Sequence, residues 1–220
     1  MSANDVDDAI VEFYRQRVPE HYNATLAEQR RAASDDEDAE RVLGDMEAVR
    51  ASIVVVVDDG DGRACFAFDI ERGEMASVHA PGRAPFLVLE HSAADFPALR
   101  DACGESLLGF LGALAGLGNE MRITAQRTRS LRELAGGVAL DRTGEGSFRL
   151  TAWFGVASSK GLPPSFPATP GATIRLDTET YTQLRSGALD AQDAFLAGAV
   201  PIEGDEGLAI GLALAAMSPD

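Results

Sequence analysis

Lysine is almost missing from this chain of 220 residues: of its 19 basic side chains 18 are arginine, and Lys160 is the sole lysine. Chemistry that depends on a lysine amine therefore has one candidate, and it sits in the Gly/Pro-rich stretch SSKGLPPSFPATPG, residues 158–171. Cysteine is as scarce. Cys65 and Cys103 are the only two, at no ligand or disulfide-framework spacing, so a reduced, cytoplasmic setting is the expectation. His21, His79 and His91 are scattered, with no carboxylate at zinc spacing, which predicts surface or capping histidines and no metal. The acidic start MSANDVDDAIVEF has neither the basic nor the apolar region of a secretory signal. The longest apolar run, Leu107 to Leu117, is too short to span a bilayer and is loosened by Gly109, Gly112 and Gly116. No G-x-S-x-G, Walker A or strand-to-helix G-x-G-x-x-G occurs, and no nucleophile–base or metal set can be assembled. The expectation is a non-enzymatic protein without a cofactor.

Acid is what the chain has in excess. The net charge is −16 and the isoelectric point about 4.5. Such a field repels phosphate backbones and anionic lipid surfaces, so nucleic acid is excluded as a partner. Arg122, Arg127, Arg129 and Arg132 form the only basic stretch, and docking against the acidic N-terminal region is its expected role. With 45% hydrophobic and 25% charged residues the composition is that of an ordinary globular protein. The length suffices for one large domain or two small ones.

Residues 1–50 read as a helical arm. Val6, Ile10, Phe13 and Tyr14 share one helical face, and Pro19 is expected to end that segment. Thr25 to Glu28 and Ser34 to Glu37 fit capping boxes, the second opening a helix with Ala39, Val42, Leu43, Met46 and Val49 as its stripe. Strands follow at 51–57, 63–70, 74–79 and 86–90. Helices are predicted at 93–101 and 105–117, and a strand around Met121 and Ile123.

The later half echoes the earlier one. Gly60-Asp61-Gly62 returns as Gly144-Glu145-Gly146, an offset of 144 − 60 = 84. Leu99-Arg100 returns as Leu184-Arg185 and Phe110-Leu111 as Phe195-Leu196, both 85 later. Gly118-Asn119-Glu120 returns as Gly204-Asp205-Glu206, 86 later. A slowly drifting offset with a constant order of elements is what duplication of a whole unit with small indels produces. Units at 51–134 and 135–220 are the expected division. An internal pseudo-twofold follows if the two pack by equivalent faces.

Thr173 to Leu212 carries the most specific pattern. Thr173, Ile174 and Leu176 form a β-run, Asp177 or Thr178 caps the helix behind it, and Gly187 ends that helix. A second short helix with Ala191, Ala194 and Phe195 stops at Gly198. Leu208, Ile210 and Leu212 alternate as in a half-buried final strand.

This order resembles the C-terminal half of the sterol carrier protein domain, the non-specific lipid-transfer family. The likeness rests on Asp177 to Leu184, Ser186-Gly187-Ala188-Leu189-Asp190, Ala194 to Gly198, Ile202 to Asp205 and Gly207-Leu208-Ala209. Gln192, Ala199 and Glu203 stand where the family usually has lysines. The resemblance implies an α+β fold of two tandem sterol-carrier-like units, each an antiparallel-rich sheet covered by helices. It also implies binding or transfer of an apolar small molecule (a fatty acid, acyl-CoA or sterol-like ligand) in a cavity between helices and sheet. Such a protein is not membrane-embedded, and oligomerisation is left open. The expected ligand-binding residues are Trp153, Phe154, Leu176, Tyr181, Leu184, Phe195, Leu196, Leu208 and Ile210. The alternative is a structural or protein-interaction module whose cavity is filled by side chains.

Overall fold

In the computed structural model, residues 7–104, 109, 121–156 and 164–216 are described. The predicted helix 105–117 and the glycine echo at 118–120 lie outside them, as do Val6, Lys160, Phe110 and Leu111.

The chain begins with α1 (Asp8–Glu12), a π-helical turn (Phe13–Arg17) and α2 (Val18–Ala32), which run on without a break. Pro19 does not end the segment. It lies two residues after the π-helical turn, an irregularity of the kind at which a proline is accommodated inside a helix. Ile10, Phe13 and Tyr14 are buried as their shared face predicts. The helix α3 (Glu37–Glu47) is capped by Asp36, whose carboxylate accepts from the Asp38 and Ala39 amides; Ser34 instead donates to the Arg31 carbonyl. Leu26, Val42 and Met46 join α2 to α3.

The sheet strands are β1 (Arg50–Asp58), β2 (Arg63–Glu71), β3 (Glu74–Val78), β4 (Leu87–Ser92), β5 (Gly136–Thr143), β6 (Phe148–Phe154), β7 (Ala172–Asp177) and β8 (Ile202–Gly204). They form one sheet in the order β3-β2-β1-β4-β6-β5-β7-β8. The remaining helices are α4 (Phe96–Cys103), α5 (Ala125–Arg132), α6 (Thr178–Ser186), α7 (Ala191–Leu196) and α8 (Glu206–Ala216). The fold is mixed α+β, a large sheet with helices.

Two expected elements differ. Met121 and Ile123 are buried but not in a strand; Thr124 caps α5, with its hydroxyl accepting from the Arg127 amide. Leu208, Ile210 and Leu212 lie on a helix rather than a strand. Asp205 accepts from the Leu208 amide as a side-chain N-cap, and the following run is built from Ala, Leu and Gly with one β-branched residue. Because that run is apolar on every face, the alternation of large side chains is a subset of a continuous apolar segment and carries no strand signal. The last strand is β8, ending at Gly204, whose positive φ and close approach to the Gly171 carbonyl leave no room for a Cβ.

The pairing scheme of the first half recurs in the second. β1 pairs with β2 antiparallel and β4 in parallel; β5 pairs with β6 antiparallel and β7 in parallel. Ile53 lies opposite Leu87 and Val138 opposite Ala172, and 87 − 53 equals 172 − 138, both 34 residues. The halves join through β4 and β6, which are not equivalent edges. The relation is therefore head-to-tail, not the pseudo-twofold that equivalent faces give. One apolar core runs from Ile10 through Ile53, Leu140 and Ile174 to Leu212, so the halves share it.

The helices cover one face of the sheet. On the opposite face Val54, Val56, Val88 and Trp153 form a smaller buried cluster, with Phe166 packed against it. Around β5 and β7 that face is polar, with Asp141 accepting from Arg149 at 3.1 Å and Arg175 pairing with Glu203 at 2.7 Å.

Candidate functional site

β7 places Ile174 on the helix-covered face, since alternate residues of a strand point to opposite sides. The helix α6 follows directly, capped by Asp177, whose carboxylate accepts from the Thr180 amide at 2.7 Å. Leu184 on α6 then faces the same space, and Gly187 closes the helix in a left-handed conformation. Asp190 starts α7 by accepting from the Gln192 and Asp193 amides. Val200 and Ile202 lead into β8, and α8 returns across the opening.

Between these elements is a cavity of about 240 Å³, lined by Ile174, Leu184, Ala191, Gln192, Phe195, Val200, Ile202, Ala209, Ile210, Leu212, Ala213 and Leu214. Among the described residues, Gln192 is the one polar residue in that lining. The volume sits just under the roughly 300–1,000 Å³ of small-molecule sites. Its rim is apolar too: Phe195 is 38% exposed, Ile210 40% and Leu214 60%. The arrangement offers transfer of a hydrocarbon from water, and among the described residues of its lining it offers no ionisable group.

Of the nine predicted ligand residues, the cavity gathers three: Leu184, Phe195 and Ile210. Phe154, Leu176 and Tyr181 point to the helix-covered face but are buried in the core beside it. Leu208 is half-buried over Gly136 and Gly171, outside the lining. Leu196 is 72% exposed and projects away from the cavity. Trp153 is on the other face of the sheet. Its ring lies over Gly137, where a Cβ would come within 2.5 Å, stacks on Phe166 at 4.9 Å, and donates its N–H to Glu90 at 3.0 Å. Alternation along β6 from the inward Phe154 already requires Trp153 to face outward. The other nine lining residues, Ile174, Gln192 and Ile202 and the α8 residues Ala209, Leu212, Ala213 and Leu214 among them, were not expected at the site. Ile174 was legible from strand alternation, whereas the α8 residues require that run to be read as a helix.

Among the described residues, a much smaller void lies in the first half of the sheet. Leu89 and Leu99, 85 residues before Ile174 and Leu184, line a void of only about 30 Å³ together with Phe13, Tyr14 and Phe96. Phe13 and Phe96 meet edge to face at 5.2 Å. Tyr14 donates its hydroxyl to His91 Nε2 at 2.6 Å; His91 Nδ1 lies 2.7 Å from the Ser92 carbonyl, which can only accept, so Nδ1 carries the proton. Burial pushes the Tyr14 hydroxyl far above the ordinary tyrosine range and lowers the His91 pKa.

The arginine stretch binds carbonyls as well as meeting the arm. Arg127 is buried and donates to the carbonyls of Ala216 and Arg122, and Arg132 donates to that of Arg50; Asp45 of α3 accepts from the Gln126 amide. Among the described residues no cluster of three metal-ligating side chains occurs, and no helix is long and apolar enough to cross a membrane.

Residues 120–215, which include all of the apolar cavity, match the model of the SCP-2 sterol transfer family. Among solved structures the chain is similar to Sterol Carrier Protein 2 Like 2 from Aedes aegypti. Identity is 21% over 38% of this chain and 75% of that one, with a TM-score of 0.28. It is also similar to Sterol Carrier Protein 2 from Yarrowia lipolytica in its apo form, at 14% identity over 56% of this chain and 90% of that one, with a TM-score of 0.26. No match is found among curated proteins.

Proposed function

We propose that the chain binds or carries a lipid or sterol-like molecule without catalysis, in the cavity between β7, β8 and helices α6 to α8. The observation that carries this reading is the cavity's lining, apolar except for Gln192, inside the segment that matches the sterol transfer family. Each methylene moved from water into such a site contributes about 0.8 kcal/mol, so a long hydrocarbon is held without a charged partner. Residues 51–134 are, on this reading, a divergent second copy of the same unit. The shared 34-residue spacing and the drifting sequence offset support it, and the N-terminal arm fills the position that stays open in residues 135–220. The interaction-module alternative is supported by the exposed Leu196 and Leu214, but the open cavity favours a ligand.

Native mass spectrometry of the purified protein tests this. A co-purifying apolar molecule, or 1:1 uptake of cholesterol or dodecan-1-ol at micromolar concentration, is the expected result. Protein that takes up neither leaves the interaction-module reading ahead.

A further inference from the structure

Resting on that reading, we infer that the cavity selects ligands by head group: it takes apolar chains ending in an uncharged, hydroxyl-type group and discriminates against carboxylates. Among the described residues the lining holds no cation to pair with an anion. The cations nearest in sequence are turned elsewhere. Arg175 follows Ile174 on β7 and so points to the opposite face of the sheet, where it pairs with Glu203 and Asp141. Arg185 follows Leu184 on α6 and interacts with the Tyr181 hydroxyl.

The other usual anion site at such a place is the first turn of a helix, whose free amides attract negative charge. Here that role is already taken. The carboxylate of Asp190, next in sequence to Ala191 and Gln192 of the lining, accepts from the Gln192 and Asp193 amides, and Asp205 accepts from the Leu208 amide at the start of α8. Glu206 adds a further negative charge one turn before Ile210 on the same helical face. A ligand carboxylate at this mouth would meet carboxylates and Gln192, within a molecule of net charge −16. Gln192 is exposed at the rim and offers an amide N–H and C=O, the partners that a hydroxyl uses as donor and acceptor.

The test compares three probes with one twelve-carbon tail: dodecan-1-ol, laurate and dodecyltrimethylammonium. Each displaces the uncharged dye Nile red from the full-length protein at pH 8 and about 10 mM salt, where the screening length is about 30 Å. Dodecan-1-ol is expected to bind about tenfold or more tighter than laurate, with the quaternary amine no weaker than the alcohol. The gap to laurate should narrow as salt rises to about 1 M, where the screening length falls to about 3 Å. In Q192K the ratio of laurate to dodecan-1-ol affinity should rise at least about tenfold, with circular dichroism confirming the fold. Laurate binding as tightly as dodecan-1-ol to the unsubstituted protein overturns the head-group preference and leaves the cavity as a binding site. Displacement by none of the three overturns the binding reading and the preference together.

Discussion

The two halves of the sheet share one pairing scheme and differ in what covers it. Among the described residues, Leu89 and Leu99 in the first pack with Phe13, Tyr14 and Phe96 around a void of about 30 Å³; in the second, Ile174 and Leu184 face a cavity of about 240 Å³. The difference lies in the elements laid over the sheet, not in the sheet. An aromatic-bearing helix covers the first half. The second is roofed by α7, six residues long, and by α8, whose side chains are mostly Ala, Leu and Gly. Small residues in a roof leave volume, and large aromatic ones remove it.

The largest expected effect comes from unsealing the first half. Phe13→Ala should cost about 3–5 kcal/mol of stability in denaturant unfolding, the usual range for a buried aromatic. Affinity of the second half for dodecan-1-ol should stay unchanged. Loss of binding with little loss of stability would show that the arm belongs to the site.

Next in size is the contrast between equivalent leucines. Leu99→Ala and Leu184→Ala each fall within the roughly 2–5 kcal/mol of buried leucine truncation. Leu184 borders the larger of the two cavities, of about 240 Å³ against 30 Å³, so its loss should be smaller by about 1 kcal/mol. Equal losses would mean that the cavity is closed in solution.

How far the sequence reveals this is clearest at particular residues. Strands β1 to β4 and β7 and the caps Asp177 and Gly187 follow from apolar runs and turn chemistry, whereas β5, Gly136–Thr143, went unread. Leu196 misled, because its echo of Leu111 specifies a position in the chain but not which way a short helix turns. The α8 run misled for another reason. With every face apolar it has no period to read, and only the Asp205 cap decides for helix. Trp153 is among the ligand residues that the resemblance implies, although the inward Phe154 beside it requires the opposite direction.

Rim substitutions sharpen the comparison further. Ile210→Asp should weaken dodecan-1-ol binding about tenfold, about 1.4 kcal/mol, by placing a charge at the mouth. Leu196→Arg should leave both fold and affinity as they are, because that side chain is solvated. Lost binding in folded Leu196→Arg protein would return Leu196 to the site.

The smallest effect is a pH dependence confined to the first half. Burial lowers the His91 pKa from its ordinary 6.5, so the unfolded chain takes up that proton first. Stability from neutral His91 is complete above pH of about 6.5 and declines as pH falls from there toward the folded pKa, below which no more is lost. The urea midpoint of the wild-type protein should therefore drop more between pH 7 and 5 than that of His91→Gln. Parallel curves would remove His91 from the account.

Methyl NMR of the full-length protein titrated with dodecan-1-ol tests the central claim, an open second half beside a filled first half, most directly. The methyl resonances of Ile174, Leu184, Ile210 and Leu212 should shift and saturate together while those of Leu89 and Leu99 stay in place. Shifts centred on Leu89 and Leu99, or none at Ile174 and Leu184 at saturating alcohol, would contradict it.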